Sequence, residues 1–247
     1  MNNTLKHLVQ AALLAVAASA VHAATPTHLY ELNNSFADTL GGPSLADFGG
    51  TLGASSYGFG ANQGLTVDNA VGQDVYTIDT SFAFDVTAGY RRIVDFKGGA
   101  SDTGLYNLST ALNFYNINTG ANGAFANGQQ VRVTLTRDAA DTFSGYVNGA
   151  LQFSFNDAGG LAKFDTVNNT ARLFRDDNAV GGEASAGSVD YIAIYSSALS
   201  AQEIAALAPA VPEPETYALM LVGLAGVMAI ARRRQRRLSA CPGLQPG

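Results

Sequence analysis

Four carboxylates are the groups best placed to do chemistry. Asp176, Asp177 and Glu183 fall in Phe174-Arg175-Asp176-Asp177-Asn178-Ala179-Val180-Gly181-Gly182-Glu183, a glycine-bearing stretch that also carries the amide of Asn178. Asp102 lies in a second glycine-rich stretch, 98–104, that can approach the first. Hard oxygen donors at short, irregular spacing suit Ca²⁺, which tolerates flexible geometry and takes carbonyls as well. A turn whose Asp and Asn side chains bond their own backbone needs the same residues. Two expectations therefore stand side by side: calcium held by Asp102, Asp176, Asp177 and Glu183, or a backbone-bonded acidic turn.

Saccharide binding uses flat aromatic faces with polar groups beside them. The chain has no Trp, and most of its Tyr and Phe sit where a core would claim them. Tyr57 and Phe59, in Ser55-Ser56-Tyr57-Gly58-Phe59-Gly60, and Tyr106 with Asn107 are flanked by Gly and polar residues. These four are the candidate ligand-binding residues, although packing is the commoner use of such rings. Glycoside hydrolysis normally needs two carboxylates facing one another. The glutamates between positions 24 and 210 are Glu31, Glu183 and Glu203, so no catalytic residue is assigned and a non-enzymatic protein is expected. The one cysteine, Cys241, and two of the three histidines, His7 and His22, fall outside this stretch. Disulfides, zinc-finger sites, Cys nucleophiles and Ser-His-Asp triads are thereby disfavoured. Its eight Lys and Arg against 18 Asp and Glu leave −10, which argues against a nucleic-acid partner.

The elements that must carry these residues are strands. Val131, Val133 and Leu135 alternate with Arg132, Thr134 and Thr136, and Leu151, Phe153 and Phe155 with Gln152, Ser154 and Asn156. That period of two predicts half-buried antiparallel strands. Asn148-Gly149 between two such runs predicts a hairpin. Further strands are expected near 29–32, 64–67, 75–86, 91–96, 112–115, 171–174 and 188–195. One short helix, 201–207, is signposted by Ser200 and Glu203 as a capping box, with Leu199 and Ile204 as a hydrophobic staple. The expected class is all-β, an antiparallel sandwich over 24–207.

Both ends read as transport signals. Residues 1–23 have Lys6, an apolar run from Leu8 to Val21, and Val21-His22-Ala23, the pattern of a cleaved signal peptide read by the Sec export machinery. A Pro-rich linker, 208–215, precedes an apolar segment, 216–231, expected to cross the membrane as a helix, and then a basic tail, 232–247. Arg232, Arg233 and Arg234 place that tail in the cytoplasm and the sandwich on the opposite side.

Val211-Pro212-Glu213-Pro214, the apolar segment and the arginine cluster resemble the PEP-CTERM sorting signal. The resemblance implies processing by an exosortase, a transient inner-membrane anchor, and delivery to the cell surface or exopolysaccharide matrix of a Gram-negative bacterium. The signal usually ends soon after its basic cluster, and here 238–247 follow it. The order of strands, Val131–Asp138, the Tyr146–Gly149 hairpin and the closing block from Gly187 to Ile204 resemble the laminin-G-like, concanavalin A-like jelly-roll sandwich. Glucanases of that fold carry two glutamates and an aspartate on one strand, a spacing lacking here. The resemblance implies a non-catalytic carbohydrate- or protein-binding or adhesion module, with polysaccharide or a surface protein as partner. A structural matrix protein and a glycan-cleaving enzyme are the alternatives.

Overall fold

The computed structural model describes residues 24–207. The signal peptide, the PEP motif with its arginine cluster, and the apolar segment lie outside them. Among the described residues no helix is long and apolar enough to cross a membrane.

In chain order the strands are β1 (His28–Tyr30), β2 (Ala46–Asp47), β3 (Thr51–Leu52), β4 (Tyr57–Phe59), β5 (Leu65–Val67), β6 (Tyr76–Phe84), β7 (Tyr90–Asp95) and β8 (Gly104–Leu108). They continue as β9 (Ala111–Phe114), β10 (Asn118–Thr119), β11 (Val131–Arg137), β12 (Thr142–Val147), β13 (Ala150–Asn156), β14 (Ala171–Leu173) and β15 (Gly187–Tyr195), followed by helix α1 (Ala201–Ala206). One sheet runs β13-β12-β11-β6-β15-β4-β3, with β1 also paired to β15; the other runs β10-β9-β8-β7-β14-β5-β2. Every pairing is antiparallel. The short strands β2, β3 and β10 carry too few residues for alternation to register, and β8 was hidden by Asn107 among its apolar neighbours.

Between the sheets lies an aromatic core. Phe59, Phe82, Phe84 and Phe174 pack at one end, and Phe96, Phe114, Phe143 and Phe164 at the other, with centroids 4.9–6.3 Å apart. Such spacings are those of favourable offset and edge-to-face pairs.

Two strand readings change. All seven residues of β11 are buried, its polar face included, because α1 covers that face. Arg132 donates to the carbonyls of Ile204, at 3.0 Å, and Leu207, at 2.5 Å, and so satisfies the end of the helix. On β13, Leu151 is exposed rather than inward. The β12–β13 register shifts so that Gly145 faces Phe153 while Tyr146 faces Leu151, and this bulge turns Leu151 outward.

The local signals are realised. Asn148 and Gly149 take φ of 50° and 81°, the left-handed pair a two-residue hairpin turn requires. The Ser200–Glu203 capping box forms, and Leu199 and Ile204 join one apolar cluster with Tyr146, Ala193 and Tyr195.

At the far edge Arg137 is fully buried. Its Nε donates to Asp157 Oδ2 at 2.7 Å and its Nη1 to the Asp74 carbonyl at 2.8 Å. Asp157 also accepts from the backbone of Leu161 and Ala162, so one ion pair joins three segments. Arg137→Met leaves Asp157 buried without its cation, and a loss of about 3–5 kcal/mol is expected in urea denaturation.

Candidate functional site

The outer face of the seven-stranded sheet carries two clusters, and a fault in β7 creates both. Strict alternation would put Arg92 and Val94 on one face. Pairing with β8 instead sets Arg92 opposite Tyr106 and Val94 opposite Leu105. Ile93 and Val94 both enter the core, and Arg92 and Asp95 both point away from it.

Arg92 is fully buried there, under the loops 97–103 and 175–186. Its guanidinium donates to Asp177 Oδ2 and to the Tyr106 hydroxyl, and to the Thr103 carbonyl at 3.2 Å. Asp102 Oδ1 and Glu183 Oε2 lie 3.4 and 3.8 Å from Nη2. The guanidinium carbon sits 4.4 Å from the Tyr106 ring centre, and that hydroxyl donates on to Asp102 at 3.0 Å.

The structure thus brings together three of the four expected metal ligands: oxygens of Asp102, Asp177 and Glu183 lie within 4.8 Å of one another. Asp176 does not join them. Its carboxylate accepts from the backbone of Asp177 at 3.1 Å and Glu183 at 2.8 Å, which is how the turn reading uses it. The cation among the three carboxylates is Arg92, whose Nη2 lies within 3.8 Å of an oxygen of each. Arg92 was missed because regular alternation conceals the bulge that turns it toward the loops; the adjacent Arg91-Arg92 followed by two apolar residues was the available signal.

Electrostatics separates Asp177 from Glu183. Burial pushes the Asp177 carboxyl up, but the backbone N–H of Val180, Arg92 and the N–H of Ala179 outweigh it and hold it below its usual value. Glu183 is pushed up to about 7, by burial first and then by the Asp102 charge.

The second cluster is an open groove of about 600 Å³ beside β5 and β14. Thr66 and Arg172, cross-strand partners, lie along it. Arg172 is held by Asp95 at 3.4 Å and donates to the Asp176 carbonyl at 2.9 Å. Gly99, with φ +82°, lies against that guanidinium, and a Cβ there would strike it. Phe48 is 42% exposed on the groove wall, and the Arg175 guanidinium stacks 3.3 Å from its ring centre. Asp68, Asn168, Thr170 and Asn178 add polar groups.

The four expected ligand-binding residues lie elsewhere. Tyr57 and Phe59 belong to β4 and face the core, 0% and 4% exposed; the Tyr57 hydroxyl is spent on the Gln63 carbonyl. Tyr106 is the support for Arg92, and buried Asn107 donates to the Thr87 carbonyl at 2.7 Å. Flanking glycines let these chains pack closely, and so did not mark exposure. The accessible aromatic, Phe48, stands before Gly49-Gly50, the same kind of signal at a position where the strand ends.

A profile of the concanavalin A-like lectin/glucanases superfamily, of laminin-G type, matches residues 59–205. The chain belongs to this superfamily. The PEP-CTERM protein-sorting motif matches 210–237, which marks this superfamily member for exosortase processing, export and membrane-anchored sorting. No curated protein matches the sequence. Among solved structures it is similar to domain 4 of an extracellular arabinanase from Geobacillus stearothermophilus in complex with arabinotriose, at 16% identity and TM-score 0.54 over 76% of this chain and 100% of that one. It is also similar to the botulinum neurotoxin serotype D binding domain, at 14% and 0.53 over 74% and 51%. A third is a sialidase from Trypanosoma rangeli, at 14% and 0.58 over 75% and 33%. The chain thus spans about half of the toxin domain and a third of the sialidase. At these identities the likeness is one of fold.

Glu183 makes the Arg92 cluster pH-dependent. A carboxyl whose folded pKa exceeds its unfolded value contributes stability that is complete below about 4.5 and is lost as pH rises through about 7. Glu183→Gln should flatten that slope and raise the melting midpoint above pH 7.5, read by thermal denaturation across pH 5–8.

Proposed function

We propose that this is an exosortase-sorted surface protein whose sandwich is a non-catalytic carbohydrate-recognition module, with the groove at Phe48 as its recognition site. The carrying observation is the pairing of an exposed aromatic ring with hydrogen-bonding side chains in a groove of ligand size. Support comes from the superfamily and from a structural neighbour that holds arabinotriose. After export the protein is held in the inner membrane and then released to the surface or the extracellular matrix. On this reading Asp102, Asp177 and Glu183 are structural, and their cation is Arg92 rather than calcium.

A glycan array probed with the full chain in detergent tests the module. A reproducible preference, weakened at least tenfold by Phe48→Ala, is expected; bulk retention in the matrix with no preference favours a purely structural protein. The melting midpoint should stay flat from micromolar to millimolar calcium, and a rise of several degrees reversed by chelator restores the metal reading.

One observation favours an enzyme. A depression of about 410 Å³ on the other sheet is lined by both Glu31 and Asp190. Asp190 is the bulged residue of β15, its carboxyl is raised by burial, and it accepts from Gln130 at 2.8 Å. A raised acid beside an exposed carboxylate is the pairing hydrolysis uses. Release of reducing ends from a polysaccharide, abolished by Glu31→Gln, would replace the binding reading.

A further inference from the structure

We propose that the Phe48 groove selects a carboxylate-bearing saccharide, a uronic acid, with Arg175 as the residue that reads the charge. The proposal rests on the recognition reading above and adds the ligand class.

Arg175 is set apart from every other basic side chain among the described residues. Arg92, Lys97, Arg132, Arg137, Lys163 and Arg172 each have a carboxylate within 4.0 Å. Arg91 donates to the carbonyls of Gly182 and Ala184, at 2.9 and 3.2 Å. The Arg175 guanidinium has neither a carboxylate within 4.0 Å nor a protein acceptor; an unpartnered buried Nε is a feature it shares with other arginines, and the terminal nitrogens are what set it apart. Of the two arginines without an acid among the described residues, Arg91 and Arg175, only Arg175 also lacks a carbonyl acceptor, which leaves its terminal N–H groups open to a ligand. Burial and the neighbouring Arg172 both disfavour its charge, a cost that an incoming anion would relieve.

The surroundings fit a sugar acid better than a bare anion. Phe48 holds the guanidinium against its ring and offers apolar surface for the C–H face of a pyranose. A planar guanidinium matches a carboxylate in a two-point fork. Arg172 brings its own Asp95, and the groove's lining carboxylate is Asp68, which accepts from Thr170 at 2.6 Å and Asn168 at 3.2 Å. With Asp95 set against Arg172 and Asp68 the lining acid, the groove carries no broad positive field, and the anion must be recognised at Arg175 itself.

The test compares tetragalacturonate with its methyl ester, which keeps the sugar and removes the charge. Titration calorimetry uses the full chain in detergent. The acid should bind at least tenfold more tightly than the ester and weaken as salt rises. Arg175→Gln should abolish the difference between them. Asp68→Asn, which removes a like charge from a solvent-exposed position, should tighten the acid severalfold without affecting the ester. Equal binding of acid and ester by the unaltered chain overturns the charge selection and leaves carbohydrate recognition standing. Absence of binding to these probes and to every glycan on the array overturns both.

Discussion

A guanidinium withdrawn from water has five N–H groups to satisfy and a charge to balance inside the protein. The terminal nitrogens of Arg92 meet that demand with groups from three places: Tyr106 on the adjacent strand, Asp102 and Thr103 from one loop, and Asp177 and Glu183 from another. Neither loop has much apolar surface of its own. Their positions over the sheet therefore follow from the requirement at Arg92, and the groove, which borders both, inherits its shape from it. The contact is local to one face, where buried Asp95 and Arg172, which donates to the Asp176 carbonyl, add a second anchor.

The same logic recurs on the opposite sheet. Arg132 binds the last carbonyls of α1 with Asp79 at 3.7 Å behind it, and Arg137 ties Asp157 to the end of β11. Buried arginines thus fasten helix, loops and strand ends to a sandwich whose interior is aromatic and nonspecific. Breaking such a pair leaves an uncompensated charge, which costs more than the pair contributes. The surrounding segments are consequently held in one arrangement. Against this background Arg175, stacked on Phe48, stands out among the described residues as the arginine with neither an acid nor a carbonyl acceptor.

Sheet and loops also divide the labour chemically. The inward face is filled by Phe82, Phe114, Phe143 and their neighbours, and such a core depends on volume and patterning more than on particular residues. Individual character resides on the outward faces, where Arg92, Arg175, Phe48, Glu31 and Asp190 are distributed between a structural knot, a groove and a second depression.

Local pattern sufficed for the features whose causes are local. The strand at 131–137, the Asn148-Gly149 turn and the Ser200–Glu203 box each depend on backbone geometry within a few residues, and each is present, although the polar face of that strand is buried as well. The approach of Asp102 to Asp177 and Glu183 was also legible, because two acidic glycine-bearing loops flank strands of one sheet. Tertiary structure decided the rest. A one-residue bulge reverses the faces of everything beyond it, and alternation cannot reveal where such a slip occurs: it sent Arg92 into the acid cluster and Leu151 into solvent. Exposure is likewise a property of neighbours distant in the chain. Tyr57 and Phe48 have similar glycine-rich surroundings, and only the packing of β4 against the core buries the first while the end of β2 leaves the second in the groove.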